Sequence, residues 1–350
     1  MKFMGYNIKW RLLTGTLIGI LPVVILYLHS ENFHRNKNSF NRIFPPHVIL
    51  KTLSLNIGDI NGSIIGQTSN TVYITDYKNP SHLFIANMNL NYSQSVQLSL
   101  PKLNIFDSSQ IMIRADSSNL FIVDKLSSSI FQCSDIHRGI FKPLKNFEFS
   151  SSEAIIISGE SAILRTYQGS TQNSILAKLN WNKHPFLASA NILEKQVDGF
   201  FCTDGNLLID RKTNRLIYTY FYRNRFLCLD TNLHIIYTSK TIDTNTRSKI
   251  QVRTVHKQKI LAAPPVIVNE LAAFSGNSIL ICSAVKADNE DQDAFRNNIV
   301  VDVYDSRNGR YRFSFYLPKI NNSSIISFIL DDTKLFTIQG NSLIRYDLNI

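Results

Sequence analysis

The sequence predicts an all-β fold, a six-bladed β-propeller, carried behind an N-terminal transmembrane helix. Three observations lead there: a strand-favouring composition, a three-strand rhythm that recurs along the body, and two matched segments far apart in the chain. The 350 residues are 44% hydrophobic and 11% aromatic with only 18% charged, and 22 Phe and 14 Tyr accompany abundant Ile, Leu, Ser and Asn. Aromatic and β-branched residues alternating with polar turn formers favour strands over helices. Beyond the N-terminus no usable window shows the 3.6-residue period of an amphipathic helix. The length would also suit two average domains, but closed all-β folds often form one unit of this size.

Residues 1–11 carry Lys2, Lys9 and Arg11, a basic cluster that favours a cytoplasmic N-terminus. Residues 12–28 are uncharged and mostly apolar, bracketed by Trp10 and Arg11 before and His29 after. This reads as a membrane anchor at the short end of spanning length. A cleaved signal peptide, leaving a secreted body, is the alternative, although no small-x-small site follows Leu28. Residues 29–47, polar and closed by Pro45-Pro46, read as a tether.

The propeller is expected over residues 48–350. Leu98-Ser99-Leu100-Pro101-Lys102-Leu103-Asn104 aligns with Phe315-Tyr316-Leu317-Pro318-Lys319-Ile320-Asn321, and three similar strands follow each. Units of this kind start near Ile64, Ile111, Ile155, Phe200, Leu271 and Ile325. Sheets repeated at such intervals, each burying its faces only against its neighbours, characterise propellers. A jelly roll or a double-sheet sandwich is the competing architecture. The longest gap holds an insertion, residues 240–265, with the chain's one basic concentration from Arg247 to Lys259. The last unit lacks a fourth strand, and Val48 to Leu55 is expected to supply it, closing the ring and hiding a sheet edge.

Val72-Tyr73-Ile74-Thr75-Asp76, followed by Leu83-Phe84-Ile85-Ala86-Asn87, is similar to a repeat of the YWTD group, and Phe121-Ile122-Val123-Asp124 echoes it. On these residues the body resembles the six-bladed propeller superfamily, loosely its NHL and YWTD groups. The resemblance implies the architecture only.

No catalytic signature of compact spacing is present: no nucleophile elbow, zinc-helix motif, Walker loop or dinucleotide turn. Asp59, Asp107, Glu153, Asp198, Glu270 and Asn321 precede the expected inner strands and would converge on one end of the channel. Such a ring would suit ligand binding and admits a divalent cation through oxygen ligands, although Asp and Asn also serve turns at strand junctions. No cofactor is otherwise implied. Asp288-Asn289-Glu290-Asp291-Gln292-Asp293 lacks the Gly and the closing Glu of a calcium loop and reads as a solvated hairpin tip. Tyr218, Tyr220, Phe221 and Tyr222 with Arg223 and Arg225 read as blade packing or, alternatively, a ligand platform.

Cys133, Cys202, Cys228 and Cys282 have no C-x-x-C spacing and read as buried small hydrophobes, with a Cys202–Cys228 disulfide as the alternative. The net charge of +11 is spread along the chain without a stacking-aromatic motif, so no nucleic-acid partner is expected. The reading is a non-enzymatic, membrane-tethered periplasmic propeller for ligand recognition or scaffolding, with a protein partner in or at the membrane. The alternative is a metal-dependent hydrolase or lactonase using the acidic ring; a surface adhesin or receptor fragment is a third possibility.

Overall fold

The computed structural model describes residue 10, residues 13–26, and residues 38–350 apart from 102–109, 117–118, 127–128, 146–149, 170, 183–186, 190–191, 257 and 321. The chain divides into two compact units, Met1–Ser39 and Phe40–Ile350.

In the first unit residues 13–26 form a helix, α1. At about 1.5 Å per residue it spans about 21 Å, short of the roughly 30 Å of a bilayer core. Among the described residues no helix is long and apolar enough to cross a membrane. The expected anchor of residues 12–28 therefore appears only as this shorter helix, and Leu12, Tyr27 and Leu28 lie outside the described residues.

The second unit is a six-bladed propeller of antiparallel four-stranded sheets. Its first strand, β1 (Ile49–Asn56), belongs to the last blade. Blade I holds β2 (Gly62–Gln67), β3 (Thr71–Asp76), β4 (His82–Asn87) and β5 (Ser93–Gln97). Blade II holds β6 (Ile111–Asp116), β7 (Asn119–Asp124), β8 (Ile130–Cys133) and β9 (Lys142–Lys145). Blade III holds β10 (Ser151–Ser158), β11 (Ser161–Gln168), β12 (Asn173–Asn180) and β13 (Leu187–Ser189). Blade IV holds β14 (Gly205–Asp210), β15 (Arg215–Tyr220), β16 (Phe226–Asp230) and β17 (Ile235–Ser239). A separate hairpin, β18 (Val252–Val255) with β19 (Gln258–Leu261), precedes blade V. Blade V holds β20 (Asn269–Ser275), β21 (Ser278–Ser283), the short helix α2 (Gln292–Asn297), β22 (Asn298–Asp305) and β23 (Tyr311–Pro318). Blade VI holds β24 (Ile325–Asp331), β25 (Lys334–Gln339), β26 (Ser342–Leu348) and, outermost, β1.

Strands β2, β6, β10, β14, β20 and β24 touch in a closed cycle and line the central channel. We call the end where these strands begin the upper end. The expected starts near Ile64, Ile111, Ile155, Leu271 and Ile325 all fall on inner strands. The start near Phe200 does not: turns occupy residues 199–203 and the inner strand begins at Gly205. The matched segments both fall at the end of an outer strand: Leu98 to Pro101 follow β5, whereas Phe315 to Pro318 close β23.

Successive residues of a strand face opposite sides of its sheet, and here both sides are covered by neighbouring blades. Leu120 and Ile122 of β7 pack toward blade I while Phe121 and Val123 pack toward blade III. This explains the continuous apolar runs of the sequence. Each of the six blade interfaces has its own buried cluster. Each fully buried Leu, Ile or Phe there contributes about 1.5–3 kcal/mol by leaving water.

The predicted closing strand is present: β1 pairs antiparallel with β26, Thr52 opposite Tyr346 and Ser54 opposite Ile344. The expected tether, by contrast, ends earlier than residue 47. Phe40 opens the propeller unit, and Arg42 is buried against blade V, its Nε 2.7 Å from Asp302 Oδ1 and its Nη1 paired with Glu290. The Asp288–Asp293 run is correspondingly not a wholly solvated tip. Glu290 is buried in that pair, and Asp291 caps α2 by accepting from the Asp293 and Ala294 amides. All four cysteines are buried and free, so no Cys202–Cys228 disulfide forms.

Candidate functional site: the central channel

The inner strands enclose a cavity of about 1030 Å³. Its walls mix aliphatic side chains such as Ile64, Leu208, Leu271 and Ile326 with polar ones such as Ser152, Asn206 and Ser327. The two ends carry different chemistry.

At the lower end the turn after β14 sends two cations toward other blades. Arg211 donates to the Ile156 carbonyl of blade III at 2.9 Å and pairs with Asp116 of blade II, also at 2.9 Å. Burial lowers the Arg211 pKa, against the pull of Asp116. Lys212 Nζ reaches both carboxylate oxygens of Asp332 in blade VI at 2.6 Å. The turn itself is set by Asp210, which accepts from the Thr213 amide and hydroxyl.

Toward the upper end, Arg114 of β6, Glu153 of β10 and Arg165 of β11 line the channel. Arg165 is nearly buried and donates to Ser152 Oγ and Ser174 Oγ, each at 2.9 Å, and to Asp204 Oδ1 at 2.5 Å. Its charge is thus matched by Asp204. Among the described residues Arg114 is held by carbonyls, Nε on Ala154 at 3.2 Å and Nη1 on Ile113 at 3.1 Å. Glu153 accepts one long contact, 3.4 Å from the Leu207 amide. Burial pushes its pKa up to about 7, against the opposing charges of Arg114 and Arg165.

An aromatic group frames this end. Tyr167 stacks on Phe200 at 5.1 Å, and Phe200 meets Phe201 edge-on at 4.8 Å. Phe221 lines the channel and packs with Tyr222, Cys202 and Ile250 against the β18–β19 hairpin through Val252 and Leu261. The insertion is therefore a finger docked beside the upper mouth. Its outward face exposes Arg253, Val255 and Ile260.

The expected ring of six is not brought together among the described residues. Only Glu153 lines the channel. Asp59 is exposed and accepts from Asn341 Nδ2 at 3.1 Å. Asp198 accepts from the Phe201 and Cys202 amides, shaping a turn. Glu270 is exposed and outside the channel lining. Asp107 and Asn321 lie outside the described residues. Among the described residues no group of three His, Cys, Asp or Glu could hold a metal ion. Turn hydrogen bonding accounts for Asp76 and Asp124 as well, which accept from the Lys78 and Leu126 amides in the YWTD-like segments.

Tyr218 and Tyr220 are fully buried in the interface of blades III and IV, the first donating to the Thr203 carbonyl. Arg223 is fully buried too, 4.0 Å over the Tyr220 ring. These residues are packing, and only Phe221 reaches the channel. Sequence reasoning missed Arg114 and Arg165, because single arginines inside strands carry no spacing signal.

The sequence matches no protein-family model and no curated protein. Among solved structures, a DUF4221 family member from Bacteroides vulgatus is similar with a TM-score of 0.53 at 12% identity, covering 89% of this chain and 99% of that one. A virginiamycin B lyase from Staphylococcus aureus follows at a TM-score of 0.48 and 11% identity, covering 85% of this chain and 99% of that one. BamB from Moraxella catarrhalis reaches 0.42 at 9% identity, covering 83% and 85%. The first of these likenesses is one of fold.

Proposed function

We propose that the protein is a non-enzymatic recognition propeller, tethered to a membrane by residues 12–28 with its propeller on the extracytoplasmic side. Its upper face meets a ligand or a protein partner in or at that membrane. The observation that carries this reading is the asymmetry of the channel ends. The lower end is bridged by Arg211 and Lys212. The upper end combines an aromatic mouth, half-buried ionisable groups and a finger whose outward face carries Arg253, Val255 and Ile260. Exposed aliphatic side chains beside cations suit docking better than solvation. The tether draws support from α1, whose Leu13, Leu17, Ile18 and Leu21 are exposed.

A photo-crosslinking residue placed at Val255 on the finger, and as a control at Asn70 in a lower hairpin, tests the reading in native membranes. A discrete adduct from Val255 and none from Asn70 is expected. No adduct from Val255, or equal adducts from both, would overturn it.

A further inference from the structure

Arg114 and Glu153 lie on adjacent inner strands and line the same side of the channel. Among the described residues neither has an ion-pair partner within 4.0 Å. Arg165, directly behind, is committed to Asp204 and two serine hydroxyls. One cation without an ion-pair partner and one weakly hydrogen-bonded carboxyl therefore share a cavity whose wall is part polar, with Ser152 and Asn206, and part aliphatic, with Ile64, Leu208, Leu271 and Ile326.

A guanidinium offers five N–H donors in a planar fork. Arg114 uses two atoms, Nε and Nη1, on the carbonyls of Ala154 and Ile113, which fixes the plane of the group and leaves donors on its outer side. A carboxylate matches what remains, since its two oxygens accept paired N–H bonds from such a fork. A protonated Glu153 would add an O–H donor to the same group. An ionised Glu153 would repel it.

We propose that the upper half of the channel binds a small carboxylate with an apolar body, its carboxylate held by Arg114 and hydrogen-bonded by the Glu153 carboxyl. The aliphatic part of the wall, Ile64, Leu208, Leu271 and Ile326, takes the body of the ligand. The site rests on the reading of the upper face as the recognition end. Binding strengthens as Glu153 takes up a proton. The charged and titratable groups acting on Glu153 are Arg114 from β6, Arg165 from β11, Asp204 ahead of β14 and Tyr218 from β15, with the Leu207 amide of β14 as its hydrogen-bond donor. Arg165 and Asp204 offset each other, so the balance at the site is set by Arg114 and Glu153.

Calorimetry on the full chain in mild detergent, with hexanoate as probe and hexylammonium as the opposite-charge control, tests this. Hexanoate is expected to bind about tenfold tighter near pH 5.5 than near pH 8.5. Arg114→Met and Arg114→Lys should each weaken it by about tenfold or more, the lysine variant because it keeps the charge but loses the fork. Glu153→Gln should bind near pH 8.5 as the wild type does near pH 5.5, with the pH dependence gone. Hexylammonium binding in preference to hexanoate, hexanoate binding untouched in both folded Arg114 variants, or no hexanoate binding by the wild type would overturn the site. A Val255 adduct together with no hexanoate binding removes the carboxylate site and leaves the recognition reading standing. Hexanoate binding without the adduct does the reverse.

Discussion

Arg42 and Glu153 are ionisable residues buried in opposite ways. Arg42 has its partners: burial disfavours its charge, but the hydrogen bonds and charges of Asp302 and Glu290 outweigh that and raise its pKa. Ser314 and Tyr316 complete the set, donating to Asp302 at 2.6 Å and to Glu290 at 2.9 Å. Arg42→Met should lower stability by about 3–5 kcal/mol, because two buried carboxylates lose their cation; urea denaturation measures it. Glu153 lacks such partners, and its folded pKa of about 7 lies above the ordinary 4.5. An acid with a raised folded pKa stabilises fully below its unfolded value and loses that stability as pH rises through the folded one. Glu153→Gln should therefore match the wild type near pH 4.5 and exceed it by about 1–3 kcal/mol above pH 7. Equal melting curves for both proteins across that window would refute the shift. Glu153 was legible in sequence as an acid preceding an inner strand, whereas Arg114, its neighbour, was not.

Among the elements, the starts of two inner strands, β2 and β14, are points where neighbouring backbone approaches very closely. A Cβ on Gly62 would lie 1.6 Å from the Thr75 carbonyl oxygen, and one on Gly205 would lie 2.1 Å from that of Thr219. Both glycines open strands whose partners approach too closely for any side chain. Gly62→Ala and Gly205→Ala should each cost several kcal/mol, more than the roughly 1–3 kcal/mol of ordinary overpacking, since backbone itself must move. The finger is the opposite case: among the described residues β18 and β19 pair only with each other and touch the body through a small cluster. Replacing residues 251–262 with a short Gly-Ser linker should leave both the far-UV circular dichroism and the cooperativity of thermal unfolding of the propeller in place. The insertion was visible in the sequence as a basic interruption, because no period fitted it. That it forms a hairpin beside Phe221 was not visible, since docking depends on what the turn after β15 presents.

Across the whole molecule, the two ends of the propeller unit meet in one blade, and seven register pairs join β1 to β26. Such closure ties the first blade to the last and hides the edge of β26. Removing residues 1–56 should turn a single cooperative urea transition into a broadened one and promote association through the bare edge. A sharp, unshifted transition in the truncated chain would show that the six blade interfaces suffice. The bridges from Arg211 and Lys212 work at the same scale but are weaker. Lys212 is well exposed, so Lys212→Ala should change stability by under about 1 kcal/mol.

The sequence by itself determined the class of fold, five of the six inner strands and the strand that closes the ring. Each of these follows from local patterning: apolar runs long enough to be covered on both faces, punctuated by turn-forming Asp and Asn. The fourth blade was misplaced because Phe200 and Phe201 look like a strand, although Asp198 holds them in a turn. Only the tertiary structure decided the channel chemistry. Asp198 is used by a turn, Asp59 meets Asn341 and Glu270 is exposed, because a residue's direction at such a place depends on the local course of the chain. Arg114 and Glu153 meet because two inner strands from different blades lie side by side, and Arg42 finds Asp302 across most of the chain. Such encounters are set by how the ring closes, and no spacing along the sequence records them.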